Sequence, residues 1–243
     1  MVRERADLVL VRRGLFESRA RAQAAIAAGL VIADGAPVAR ASDLIRPDAE
    51  LAAEPPHPWV SRGGVKLAAA LDAFGIDPSG RVCLDLGAST GGFTDVLLAR
   101  GAARVYALDV GRGQLHPRLA ADPRVVAREA TDARALSPAL VPEPIGVLVV
   151  DVSFISLKLV LPPALPLLGP DAALVALVKP QFEAGRAALG KGGVVRDPAV
   201  HAAVCRDIAE FVARLGFRVQ GPIPSPIAGG EGNREFLIGG VRG

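Results

Sequence analysis

The 243-residue sequence predicts an α/β protein: a mostly parallel, seven-stranded sheet covered by helices on both faces, preceded by a small α+β module. From Val82 onward, short apolar runs alternate with helix-like segments, the pattern of parallel strands buried on both faces. Before that, Glu54-Pro55-Pro56-His57-Pro58-Trp59 interrupts any regular element, and its prolines favour a stiff, extended connector. The stretch ahead of the connector holds two helix patterns and a hairpin. The boundary falls there, between a unit at 1–58 and a unit at 59–243.

Composition narrows the class of protein. With 51% hydrophobic and 22% charged residues the chain is an ordinary folded protein, and disorder is excluded. A formal charge of +3 permits a nucleic-acid partner without requiring one. Two cysteines, Cys83 and Cys205, are too few for a secreted disulfide framework and read as reduced structural thiols. The opening MVRERADLVLVRRG lacks the apolar core and cleavage site of a signal peptide. Neither Ile145–Val150 nor the proline-broken Leu157–Leu168 approaches the ~20 residues that span a bilayer. A cytoplasmic protein with no stable membrane association is expected.

In the first unit, Ala6–Arg13 carries Leu8, Val9 and Val11 and runs into Gly14, a helix stop. Ser18 suits the N-cap of a second helix, Arg19–Ala28, with Ala22, Ala25 and Ile26 on one face and Gly29 behind it. Leu30–Ala33, Asp34-Gly35 and Ala36–Val38 read as a hairpin, because Asp-Gly supplies the positive φ angles of a tight turn. Arg3, Arg5, Arg12, Arg13, Arg19 and Arg21 face only Glu4, Asp7 and Glu17 in this stretch, an excess of +3 that equals the whole chain's. Arg5, Asp7, Gly14, Leu15, Ser18, Arg19, Ala22, Ile26 and Gly29 stand where the S4-type RNA-binding module has its signature, and the segment resembles that module. The resemblance turns the arginines from a solvated face into phosphate contacts at Arg5, Arg19 and Arg21, since guanidinium pairs bidentately with phosphate oxygens.

In the second unit, Val82–Leu86 is a first strand and Gly92–Arg100 a helix, followed by strands at Val105–Val110, Val125-Val126, Ile145–Asp151 and Ala172–Val178. Val200–Leu215 is a long amphipathic helix, and Phe217–Val219 and Glu235–Ile238 close the sheet. In such sheets ligands bind beyond the carboxyl ends of the strands, near the point where strand order reverses. There the chain places Asp85-Leu86-Gly87-Ala88-Ser89-Thr90-Gly91-Gly92-Phe93, a glycine turn opening a helix with free N–H groups. Neither the dinucleotide fingerprint nor a Walker lysine is present. Asp109, at the end of the second strand, can accept both hydroxyls of an adenosine ribose, and Asp132 after the third can meet an adenine amine. The segment resembles motif I of class I S-adenosylmethionine-dependent methyltransferases, a Rossmann-like fold. That resemblance implies S-adenosylmethionine as cofactor, with Asp85, Gly87, Ser89, Thr90, Gly91, Gly92 and Phe93 around its methionine end, Asp109 on ribose and Asp132 on adenine.

Of 28 basic residues only four are lysines, Lys66, Lys158, Lys179 and Lys191. Lysine, unlike arginine, can lose its proton when desolvated, so a lysine at a strand end in this chain stands out. Lys179 follows the fifth strand and Asp151 ends the fourth, so the two form a proton-handling pair at the crevice. With Lys66 in Trp59–Leu67 and Glu235 in Gly232–Phe236, the order Lys66…Asp151…Lys179…Glu235 resembles the tetrad of FtsJ-type ribose 2′-O-methyltransferases. The S4-type module, the Trp-Val-Ser-Arg-Gly segment, this tetrad and the strings VVDVSFISL, KPQFEAG and KGGVVRDP together resemble the TlyA family of ribosomal RNA 2′-O-methyltransferases, also called haemolysins.

That family implies methylation of a cytidine ribose in large-subunit ribosomal RNA, with ribosomal subunits as partners and no metal. The short termini resemble the shorter TlyA type, which makes large-subunit RNA the first expected target and small-subunit RNA a secondary one. Lys179 would take the hydroxyl proton or stabilise the incipient alkoxide, Asp151 would orient it, and Lys66 and Glu235 would position the ribose. Ser61, Arg62 and the Lys191–Arg196 loop are expected to touch RNA. A membrane-lytic protein is disfavoured by the lack of a spanning segment. A non-catalytic assembly factor is disfavoured by the complete tetrad, and a base methyltransferase by the absence of Asn-Pro-Pro-Tyr at the fourth strand.

Overall fold

The computed structural model describes residues 3–185, 188–229 and 232–243, except for the side chain of Lys191, and it divides between Pro58 and Trp59. The first unit runs β1 (Glu4–Arg5), α1 (Ala6–Arg12), α2 (Arg19–Ala27), β2 (Val31–Ala33), β3 (Ala36–Pro37), β4 (Leu44–Ile45) and β5 (Leu51–Ala53). Ser18 caps α2 by accepting the Arg21 N–H at 3.3 Å, and Ala22, Ala25 and Ile26 are buried, as their spacing requires. Asp34 and Gly35 take φ of 49° and 77°, and Ile32 pairs with Pro37 across the turn. The predicted hairpin forms.

The second unit continues α3 (Gly63–Phe74), β6 (Val82–Leu86), α4 (Gly92–Ala99), β7 (Arg104–Leu108), α5 (Pro117–Ala120), β8 (Val125–Arg128), β9 (Ile145–Val150), α6 (Leu157–Ala164), β10 (Leu168–Val178), α7 (Pro180–Glu183), α8 (Pro198–Arg214), β11 (Phe217–Pro224) and β12 (Phe236–Arg242). Its seven strands lie in the order β11-β12-β10-β9-β6-β7-β8. β12 runs antiparallel to both its neighbours, β10 and β11, and the other pairings are parallel. Alternate strand residues feed two cores. Leu84, Leu148, Val150, Leu174 and Val178 join one with α6 and α8; Cys83, Val147, Val149, Val175 and Leu177 join the other with α3 and α4. Both cysteines are free and buried, and burial pushes the Cys83 thiol up to about 12.

Of the four helices absent from the sequence reading, α3, α5, α6 and α7, two have an evident cause. α3 was hidden by Gly63-Gly64, which reads as loop, yet a Cβ at Gly64 would stand 2.4 Å from the Trp59 ring. The glycine therefore lets Trp59 lie against the helix start. α6 was hidden by Pro162 and Pro163, which read as breakers but occupy the end of an eight-residue helix capped by Ser156. Among the described residues no helix is long and apolar enough to cross a membrane.

Candidate active site

The topology sets the ends of β6, β9 and β10 and the start of β12 side by side on one rim of the sheet. The chain leaves β6 towards β7 and β8, then returns to place β9 and β10 on the other side, so order reverses between β6 and β9. The glycine turn follows β6 and Asp151 follows β9, and a Cβ at Gly87 would be 2.5 Å from the Asp151 carbonyl oxygen. Lys179 follows β10. Because β12 runs antiparallel, with Phe236 opposite Val178, Glu235 enters the sheet where Lys179 leaves it. Lys66 reaches the same place from the first turns of α3. All four charged residues line one cavity of about 1240 Å³.

They form two pairs. Lys66 Nζ donates to Glu235 Oε2 at 2.5 Å, with both side chains almost fully buried. Gly229 closes over this carboxylate, since a Cβ there would lie 2.1 Å from Glu235 Oε1. Lys179 Nζ lies 2.6 Å from Asp151 Oδ1 in an ion pair. It also donates to Ser153 Oγ, at 2.9 Å.

A second cavity of about 510 Å³, within the usual range for small-ligand sites, opens beside the first. Gly87, Ser89, Asp109, Val110, Gln114 and Asp132 line it, and Asp151 and Ser153 line both cavities. Asp109 accepts the Ser89 N–H at 2.8 Å and the Gly111 N–H at 2.7 Å, which fixes the loop and leaves two of its roughly four lone-pair sites for ribose hydroxyls. Asp132 reaches the cavity too, but its carboxylate is held by Arg134 at 2.6 Å, which pulls its pKa down to about 2. Gly87, Ser89, Thr90, Gly92 and Phe93 line the larger cavity at the opening of α4. The donor set fits an adenosyl group with a charged amino-acid tail, the shape of S-adenosylmethionine.

Two expected contacts are corrected. Asp85 is fully buried and lines neither cavity; it accepts the Thr94 hydroxyl at 2.7 Å beneath the turn. Burial, with the charges of Asp151 and Asp109, pushes its carboxyl up to about 7. Gly91 also lines neither cavity. Its φ of 95° opens α4, and a Cβ there would strike Leu119 and Leu115.

The residues expected to meet RNA divide. Arg5 and Arg19 both donate to Asp7, whose side chain is fully buried, at 3.0 Å, and Gln23 joins them at 2.7 Å. The Arg5 guanidinium, with Gln23 and Arg19 beyond it, holds the Asp7 carboxyl far below the usual carboxylate range. The Arg-x-Asp signature is thus first a structural clasp, with the arginines still half exposed. Arg21 supplies the backbone N–H capped by Ser18. Ser61 and Arg62 line the larger cavity, and Ser61 lies so close that a Cβ on Gly92 would meet its Oγ at 2.2 Å. The Lys191 side chain lies outside the described residues.

Three features were not read from the sequence. Ser153 binds Lys179. Phe154 stands 90% exposed at φ 64°, its ring 5.0 Å from that of Phe182, and both line the larger cavity. Glu129 accepts three successive backbone N–H groups, from Gly113, Gln114 and Leu115, and so shapes the wall behind Asp109. Only the exposed aromatic had a trace in the sequence, as a Phe three residues beyond Asp151.

A reversal-point glycine turn, a ribose-ready carboxylate and a Lys-Asp-Lys-Glu set define a Rossmann-like methyltransferase. Residues 59–242 match the FtsJ-like methyltransferase family, and residues 4–51 match the S4 domain. The 16S/23S rRNA (cytidine-2′-O)-methyltransferase TlyA of Mycobacterium tuberculosis is 47% identical over 97% of this chain and 89% of its own length. A hemolysin-named structure from Streptococcus thermophilus superposes with a TM-score of 0.77 at 41% identity, covering 100% of this chain and 89% of that one. The chain belongs to the TlyA family. At the level of fold alone, a magnesium protoporphyrin IX methyltransferase from Synechocystis solved with bound SAH superposes with a TM-score of 0.51 at 16% identity, over 75% of this chain and 83% of that one.

Proposed function

We propose that this chain methylates the 2′-hydroxyl of a cytidine in ribosomal RNA, drawing the methyl group from S-adenosylmethionine. The single observation that carries the reading is the place of Lys179. Its amine is held by Asp151 and Ser153, and each of these residues lines both cavities. An oxygen entering from the larger cavity and a methyl donor in the smaller one would meet there.

A ribose hydroxyl attacks only as its proton leaves, and Lys179 Nζ is the acceptor the site offers. Asp151 faces the ammonium that forms and stabilises it by charge. Asp109 and the backbone of Gly87, Ser89, Thr90 and Gly92 hold the cofactor, which when bound supplies a methyl group on a positive sulfur. Lys66 and Glu235 neutralise each other and wall the ribose side, so the pocket adds no unpaired charge to oppose the transfer. Holding the reacting atoms in line supplies much of the rate. Phe154 and Phe182 form an aromatic lip on which a base turned out of its stack can rest.

A tetrad reads ribose and not sequence, so target choice belongs to the first unit and to the shape of folded RNA. The test is incubation of the purified chain with labelled S-adenosylmethionine and ribosomal RNA, followed by nucleoside mapping. Labelled 2′-O-methylcytidine in large-subunit RNA is expected. Label on a base, or no label in RNA, would overturn the reading.

A further inference from the structure

A lysine amine carries one carbon and three further positions at tetrahedral angles, so fixing two of them directs the third. At Lys179 the two restraints differ in kind. Asp151, ion-paired at 2.6 Å, supplies charge. Ser153 Oγ, at 2.9 Å, accepts a hydrogen bond and therefore sets direction.

We propose that Ser153 is a fifth, positioning member of the site, whose hydroxyl aims the Lys179 amine at the entering ribose oxygen. This rests on the 2′-O-methyltransferase reading above. The loop that carries the hydroxyl is tied down at both ends, although Ser153 is exposed. Its loop is tied at one end by the Asp151 N–H to the Leu86 carbonyl, at 2.9 Å. At the other end Glu183 accepts the Ser156 hydroxyl at 2.5 Å and the Leu157 N–H at 2.8 Å. Glu183 belongs to α7, which Lys179 precedes directly, so one carboxylate fastens the serine loop to the segment that carries the lysine. Between these anchors Phe154 takes the left-handed turn that sets the loop's course past Lys179. In the reaction the 2′-oxygen gains the methyl carbon as the carbon–sulfur bond breaks, and its proton passes to Lys179 Nζ. Ser153 neither gains nor loses a proton.

The experiment compares Ser153→Ala and Ser153→Thr in the full chain, measuring kcat on ribosomal RNA, cofactor Kd and thermal unfolding. Alanine is expected to lower kcat about 10-fold, a part of the ~100-fold or more that a proton acceptor supplies, with Kd and Tm unchanged. Threonine, which keeps the hydroxyl, is expected to restore kcat to within about 2-fold. Wild-type kcat in the alanine variant would overturn the proposal, as would a threonine variant as slow as alanine. A parallel loss of cofactor affinity would also overturn it, by making Ser153 a cofactor ligand. If the wild-type chain transfers no methyl group, the parent reading falls as well; if it does and alanine is silent, only Ser153 falls.

Discussion

Lys66–Glu235 and Lys179–Asp151 are both lysine–carboxylate pairs, at 2.5 and 2.6 Å, facing one cavity, yet they are built for different work. The first is sealed. Its side chains are 7% and 3% exposed, it is joined by a proper hydrogen bond, and Gly229 closes over it. The second is open: Asp151 is 19% exposed, and Lys179 also donates to Ser153 in the exposed loop. A sealed pair holds charge in place; an open one leaves its amine a direction in which to react. The same two residue types thus give a wall and a reactive group, and surroundings alone decide which.

Stability should separate the pairs most sharply. Lys66→Met leaves Glu235 buried without a partner and is expected to cost about 3–5 kcal/mol, lowering Tm on the order of 10 °C. Lys179→Met leaves Asp151 able to rehydrate, and should cost about 1–2 kcal/mol while abolishing turnover. Equal thermal shifts in calorimetry would erase the distinction.

A smaller effect tests the layer beneath. Asp85 holds its proton to about pH 7 in the folded chain, against an ordinary value of 3.8. The folded state therefore binds more protons than the unfolded one between these limits, and Asp85 makes stability fall as pH rises from about 4 to 7 and level off above. Asp85→Asn should remove that slope, so that the variant gains on the wild type by a few degrees in Tm by pH 8. Unfolding curves of the two proteins that run parallel from pH 5 to 8 would contradict the assignment.

Much of the fold was legible because its signals are local. The Asp34-Gly35 turn, the Ser18 cap and the continuous apolar strands each follow from a few neighbouring residues. The failures came where a distant partner changes the meaning of a residue. Gly64 reads as loop until Trp59 lies against it, and Pro162-Pro163 reads as a break until Ser156 starts a helix that can end there. The candidate site follows the same division. Asp85 looked like a cofactor contact because strand ends collect ligands, but its side chain points under the turn to Thr94. The resemblance to the S4-type module makes Arg5 and Arg19 phosphate contacts; the structure adds that the buried Asp7 engages both while leaving them half exposed. Ser153 carried no signal at all, since only the loop tied down by Glu183 brings it to Lys179.

The central claim is that the amine of Lys179 takes a proton from ribose, and Lys179→Arg tests it most directly. Arginine keeps the positive charge beside Asp151 but effectively never gives up its proton. Single-turnover transfer of labelled methyl to ribosomal RNA should slow by about 100-fold or more, with cofactor and RNA binding within a few-fold of the wild type. Transfer at the wild-type rate by the arginine variant would contradict the claim.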